Sequence, residues 1–381
     1  MKKIILSLFA LAMASSLFAQ EDVKSVFEAG KAEFAKFDTL YKQKAIGQPV
    51  DEKAMGEALV NCYELYFKAL PLDSMPNEKG KIKPKYSKEI IKTLGENYND
   101  LLTCGQALWD SKDYMACYKC WNLYTSLPTN TNPEIQKALK GKVQSDSVTS
   151  EIVYFQGLAA WQADELDLAL ERFDEAYGRG FDQESLFNYG MSVSAQAAQK
   201  AEQAGKKTEA DAYNARIIDF AEKAFQRYGT KDIKYIGFII NDKIDKKDFK
   251  GAIDKLNTAI AANPTNGQLY DVLGVVYENS DGDAEANYNE ALKNYLKAVE
   301  YSPDDAKSNY DLGRIYYNRA GSIEDASAQL SRKEYEKVRN EQILPLCQQA
   351  MPYAEKALNS DPDNQDYKLL MRNLKYKLGI E

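Results

Sequence analysis

The chain has 381 residues, 44% hydrophobic and 28% charged, with 21 Gly, 11 Pro and no His, enough apolar material for folded domains with cores and against wholesale disorder. Lys and Arg number 49 against 57 Asp and Glu, and the net charge of −8 is spread along the chain, which argues against electrostatic adhesion to DNA or RNA. The absence of His removes every Ser-His-Asp, Cys-His and His-ligated zinc mechanism together.

Met1, Lys2 and Lys3 form a positive start, Ile4 to Leu17 an apolar run, and Leu17-Phe18-Ala19 a small-residue site ahead of Gln20. This predicts a cleaved export signal over residues 1–19, the run being short for spanning about 30 Å of hydrocarbon. No Cys follows the run, so no lipoprotein is indicated, and removal leaves 362 residues with 47 basic side chains against 57 acidic ones. A soluble protein in the periplasm or secreted is expected. The five cysteines are Cys62, Cys104, Cys117, Cys120 and Cys347, with Cys117 and Cys120 spelling C-x-x-C inside an apolar helical stretch. A structural disulfide from Cys104 to Cys117 or Cys120, worth on the order of 3 kcal/mol, stands beside the alternative of small buried core residues. A thiol oxidoreductase site at Cys117 and Cys120 is the least favoured reading, because a strand-to-helix setting is missing.

Downstream, helix-pair units follow one another. Residues 22–75 carry Gly30, Cys62, Tyr66 and Ala69, and residues 88–129 carry Gly105, Cys117, Trp121 and Tyr124. Together they suggest an N-terminal helical block over 20–130. The stretch Thr129 to Pro133 marks 131–149 as a candidate hinge, with the main array over 150–381. Residues 150–181 supply Gly157, Ala169, Phe173 and Ala176. Residues 183–230 supply Leu186, Gly190, Ala221 and Phe225, with helices lengthened on both sides of Gly205. In 233–264, Ile240 replaces the glycine ahead of Ala252, Leu256, Ala259 and Pro264, and the β-rich run Tyr235 to Ile240 falls where a first helix belongs. The clearest unit, 267–303, reads Tyr270, Leu273, Gly274, Tyr277, then Ala291, Tyr295, Ala298 and Pro303. Residues 306–362 repeat this as Leu312, Gly313 and Tyr316, then Ala350, Ala354, Ala357 and Pro362 around a 25-residue insertion. Gln365 to Leu378 is a last helix whose Lys368, Arg372, Lys375 and Lys377 suit a solvent-exposed cap. Leu273 with Tyr277, and Ala291 with Tyr295, lie four apart on one helix face. Gly274 and Ala291 are small enough for two antiparallel helices to approach, and Pro303 stops the second helix.

These residue types at these places resemble the tetratricopeptide repeat, a pattern of about 34 residues. The resemblance implies an all-α solenoid of about seven antiparallel helix pairs with a capping helix, its first helices lining a concave groove. The chain also resembles exported repeat proteins of the Bacteroidota. In that family the partner contacts come from recurrent positions of each first helix. Carried over, they are Tyr154, Trp161, Gln162, Phe187, Asn241, Asp271, Glu278, Tyr310, Arg314, Tyr317, Asn318 and Arg372. The groove is then expected to be aromatic in the middle, acidic near 271–279 and basic toward the C-terminus. That gradient suits an extended peptide whose carboxylate or acidic segment anchors near Arg314 and Arg372. The plainer alternative is that Tyr154, Phe187 and Tyr310 pack against neighbouring helices. The two-carboxylate clamp of chaperone-binding repeats is not reproduced. No catalytic constellation, metal set or phosphate loop stands out: acids such as Asp281 and Asp283 sit where helix caps belong. The expectation is a non-catalytic interaction scaffold of the cell envelope, without cofactor or nucleic acid and with a protein or peptide partner. The runner-up is a glycan-binding protein using Trp and Tyr as sugar platforms.

Overall fold

The computed structural model describes residues 22–76, 80–229 and 234–380; the expected export signal, 1–19, lies outside them. Among the described residues there are eighteen α-helices, one 3-10 turn, one π turn and no strand. The chain divides into two compact units, residues 1–214 and 215–381.

The first unit holds α1 (Val23–Ala45), α2 (Glu52–Asp73), α3 (Ser87–Glu96), α4 (Asp100–Asp110), α5 (Tyr114–Ser126), α6 (Pro133–Ala138), α7 (Asp146–Gln162), α8 (Leu166–Gly178) and α9 (Glu184–Gln203). α10 (Lys207–Tyr228) spans the division. The candidate hinge at 131–149 is not one. Ile135 and Leu139 are buried in the same core as Cys120, Tyr124 and Ile152, and Ala138 lies against Gly95. Apolar side chains on α6 tie this stretch down, so a core runs unbroken from Val26 to Ala159. The boundary at 214/215 instead falls within a helix, where no Pro or Gly cluster signals it.

The second unit holds α11 (Lys234–Asp245), α12 (Phe249–Ala262), α13 (Gly267–Asn279), α14 (Ala284–Tyr301), α15 (Ala306–Ala326), α16 (Arg332–Val338), α17 (Leu344–Ser360) and α18 (Gln365–Leu378). The β-rich run 235–240 is inside α11, where Tyr235, Ile236, Ile239 and Ile240 are all buried. Burial on one helical face thus overrides the strand preference of branched residues. The 25-residue insertion makes longer helices instead of a long loop. α15 runs on to Ala326, and α16 joins α17 through the π turn Arg339–Ile343. Pro345 has no N–H to give the carbonyl of Glu341, which breaks the regular ladder at that turn.

Within pairs, one packing rule recurs: a first-helix glycine faces a second-helix ring. A Cβ added at Gly157 would lie 2.5 Å from Phe173, one at Gly274 would lie 2.6 Å from Tyr295, and the same holds for Gly30 with Tyr66 and Gly105 with Trp121. At Gly313 the ring is replaced by Ala354, and the second-helix backbone itself approaches to 3.3 Å. The short pairs also share a turn. Lys112, Asp164 and Lys247 adopt left-handed φ values of 62°, 66° and 57°. Each is followed by a residue whose N–H returns five positions, as in Glu165 to Ala160 at 2.9 Å, closing a Schellman cap before the second helix starts.

Candidate partner-binding face

In the second unit the paired side of α13 and α15 carries Gly274 against Tyr295 and Gly313 against the backbone of Ala350 and Ala354, and another side of each helix faces its neighbour along the stack. α13 and α15 meet there, and both carry charge. The Lys307 ammonium bonds the Asp271 carboxylate on the neighbouring helix and Asp311 on its own, the latter at 2.7 Å. Arg314 forks onto Glu278 at 3.1 and 2.6 Å and reaches Asp311 at 3.0 Å. The Tyr295 hydroxyl donates to Glu278 at 2.5 Å. Asp271 and Asp311 are buried, whereas the Lys307 side chain keeps 60% of its surface in solvent. Burial pushes the Asp271 carboxyl up to about 6 against the opposing pull of Lys307, and its Oδ1 has no hydrogen-bond partner.

This network corrects the expected acidic-to-basic gradient. Asp271, Glu278 and Arg314 do not line separate zones; recurrent first-helix positions touch across adjacent helices, so acid and base neutralise each other. Arg314 is therefore no free anchor for a carboxylate: its fork is filled by Glu278. Three carboxylates against two cations leave the patch negative. Beside it the Tyr310 ring sits 4.9 Å from Tyr367 on α18. Asn241, Asn318 and Arg372 are exposed, with no ion pair to Arg372 among the described residues. Tyr317 faces another cavity, with Glu324, Arg339 and Lys377.

In the first unit the plainer alternative holds for two residues. Phe187 is fully buried, and Tyr154 is 6% exposed, stacked 4.5 Å from Phe181 with its hydroxyl 3.1 Å from Ser185. Trp161 is half-buried, its indole N–H donating to Gln196 at 2.7 Å with Tyr189 5.5 Å away, and Gln162 is exposed.

The cysteines are core residues. All five are buried and unbridged, so the candidate disulfide from Cys104 to Cys117 or Cys120 is absent; Cys120 instead directs its thiol to the Leu101 carbonyl at 3.2 Å. Burial pushes the Cys104 thiol up to about 12 and raises Cys117 and Cys120 as well, the reverse of what a redox thiol needs. The C-x-x-C oxidoreductase reading falls with that. Nor is α18 uniformly a solvated cap: Lys377 is drawn in to pair with Glu324.

Sequence reasoning missed Lys307, Asp311 and Tyr367, and gave Tyr295 a packing role but not its bond to Glu278. A signal was available for the first: Asp271 to Lys307 and Glu278 to Arg314 are both separated by 36 residues, one helical turn short of the step from Gly274 to Gly313.

Residues 286–319 match a family described as the TPR repeat. No curated protein matches the chain. Among solved structures it is similar to the C-terminal part of a TPR repeat-containing protein from Cytophaga hutchinsonii, with 14% identity, 84% of this chain and 99% of that one covered, and a TM-score of 0.38. A TPR repeats protein from Bacteroides fragilis gives 16% identity, 73% and 98% coverage, and a TM-score of 0.27. The TPR2AB domain of yeast Sti1, in complex with pHSP90, gives 14%, 92% and 98%, and 0.23.

Proposed function

We propose that this chain, an all-α assembly of helix pairs carrying the tetratricopeptide repeat, is a non-catalytic scaffold of the cell envelope that holds a protein or peptide partner on its first-helix face. The charged network between α13 and α15 carries the reading. Apolar side chains of similar volume stabilise a helix contact as well as or better than buried ion pairs, so folding alone does not account for five charged residues at one contact. With Asp271, Glu278 and Asp311 against Lys307 and Arg314, the excess charge selects a segment bearing Lys or Arg. Its side chain approaches beside Tyr310 and Tyr367, while Asn241, Asn318 and Arg372 offer hydrogen bonds to its main chain.

Panning a random peptide library over the full chain tests this. The expected result is enrichment of basic peptides whose binding weakens with salt and drops about tenfold in Glu278→Gln. Acidic consensus peptides, or binding untouched by that substitution, would contradict it. The envelope location rests on the Lys-Lys start, the apolar run and Ala19; the unbridged thiols are compatible with an oxidising compartment because all are buried. N-terminal sequencing of protein recovered from cells should begin at Gln20, and a retained Met1 would refute export by cleavage.

The half-exposed Trp161 and Tyr189 rings, braced by Gln196, support a second reading in which the first unit binds a glycan. Glycan-array binding lost in Trp161→Ala would favour it, and an empty array would remove it.

A further inference from the structure

Independently of the first-helix face, a cavity of about 410 Å³ lies among the end of α15, the π turn and α18, within the size range of small-molecule sites. Its charged groups are Glu324, Arg339 and Lys377, one positive charge in excess. Glu324 is already engaged by the Lys377 ammonium and, at 3.0 Å, by the Tyr335 hydroxyl. The Lys377 pairing and the Tyr335 bond outweigh burial and hold that carboxyl below its usual range.

Arg339 is left over. One Nη2–H donates to the Lys377 carbonyl at 3.1 Å, in the last turn of α18, where a cation suits the helix dipole. The other four of its five N–H groups have no carboxylate within ion-pair distance among the described residues. Two more donors reach the same space without a protein hydrogen bond, the Tyr317 hydroxyl and the Asn373 amide. The π turn begins at Arg339 and ends at Ile343, and both residues line the cavity. Tyr376, 88% exposed, also lines the cavity and adds an aromatic ring to the apolar surface of Ile343.

We propose that this cavity binds a small organic carboxylate with an aromatic or aliphatic body, either free or as the end of a chain. The guanidinium of Arg339 takes the carboxylate in a planar fork, Tyr317 and Asn373 donate at its edge, and Tyr376 covers the apolar body. A spherical anion would use neither the fork nor the ring.

Titration calorimetry on the full chain, with N-acetylphenylalanine as probe and N-acetylphenylalanine amide as its uncharged twin, tests the site. The carboxylate should saturate at millimolar concentrations and the amide should bind at least about tenfold more weakly. Arg339→Gln should weaken the acid by at least about tenfold, while Arg332→Gln, exposed on α16 and outside the cavity, should leave it unchanged. Arg339→Lys keeps the charge but not the fork, and should fall between the two with an unaltered circular dichroism spectrum, which separates ligand loss from misfolding. A pentapeptide ending in phenylalanine gives the source: tighter binding than N-acetylphenylalanine indicates a chain end, equal or weaker binding a free molecule. Equal affinity for acid and amide, no saturation by either, or full binding in folded Arg339→Gln would overturn the proposal. These outcomes are independent of the peptide selection, which reads Glu278.

Discussion

Gly157 and Gly321 both sit inside helices, and the same substitution should act on them in opposite directions. At Gly157 a methyl group would meet the Phe173 ring at 2.5 Å, and at Gly321 it would meet nothing within 4 Å. Gly157→Ala should therefore destabilise by about 1–3 kcal/mol through overpacking, while Gly321→Ala should stabilise by roughly 0.5–1 kcal/mol by restricting the unfolded chain. Urea midpoints of the two variants decide it; equal shifts would mean that the ring contact is not what selects the glycine. Asp271 offers a second reading at a single side chain. Its carboxyl is raised to about 6 by burial, so its protonated form favours the fold. That contribution is complete below the ordinary carboxylate value near 4 and is lost as pH rises through about 6. A carbon-13 titration of the Asp271 carboxyl should show a midpoint about two units above an exposed Asp, and a midpoint at or below the ordinary value would mean that the Lys307 ion pair outweighs burial. The glycine and ring positions were legible in the sequence because each lies at a fixed step within its own helix. The charge network was not, because the contacts that join α13 to α15 cross between repeats and are linked in the sequence only by a shared 36-residue separation.

Between elements, Asp73 fastens the end of α2 to the start of α3. Its carboxylate accepts from the N–H groups of Lys85, Tyr86 and Ser87 at 2.9, 2.9 and 2.7 Å and from the Ser87 hydroxyl at 2.6 Å. Burial by itself would raise this carboxyl, but the four bonds outweigh it and leave the group below its usual range. Asp73→Asn should cost about 1.5–3 kcal/mol, the range for hydrogen bonds to a charged acceptor. The gap from the parent should be full above the ordinary carboxylate value and should close as pH falls through the depressed one. A gap unchanged at pH 2, well below the ordinary carboxylate value of about 4, would assign the loss to something other than this charge. Helix pairs were readable from spacing, and so was the lengthening around Gly205, which separates α9 from α10 with φ of 71°. The break of the 88–129 unit into α3 and α4 was not: it turns on Tyr98, buried between them and stacked 4.5 Å from Tyr124, a contact with no periodic trace.

Across the molecule, the division into units was the least legible feature. A cluster of Thr, Asn and Pro residues suggests a hinge from composition, yet Pro133 begins α6 with Asn132 as its cap, and the same residues that signal a loop also start a helix. Ile135→Ala should consequently cost about 2–4 kcal/mol as a core deletion, where a hinge residue would cost within about 0.5 kcal/mol; thermal unfolding of the variant separates the two. On the proposed function, pairing takes up the glycine side of α13, and the charged side it shares with α15 holds the partner. Hydrogen–deuterium exchange of the full chain, with and without a basic peptide from the selection, checks that placement. The predicted result is added protection in α13 and α15, with α12 and α14 unchanged. Protection confined to α12 and α14, or to the first unit, would contradict it.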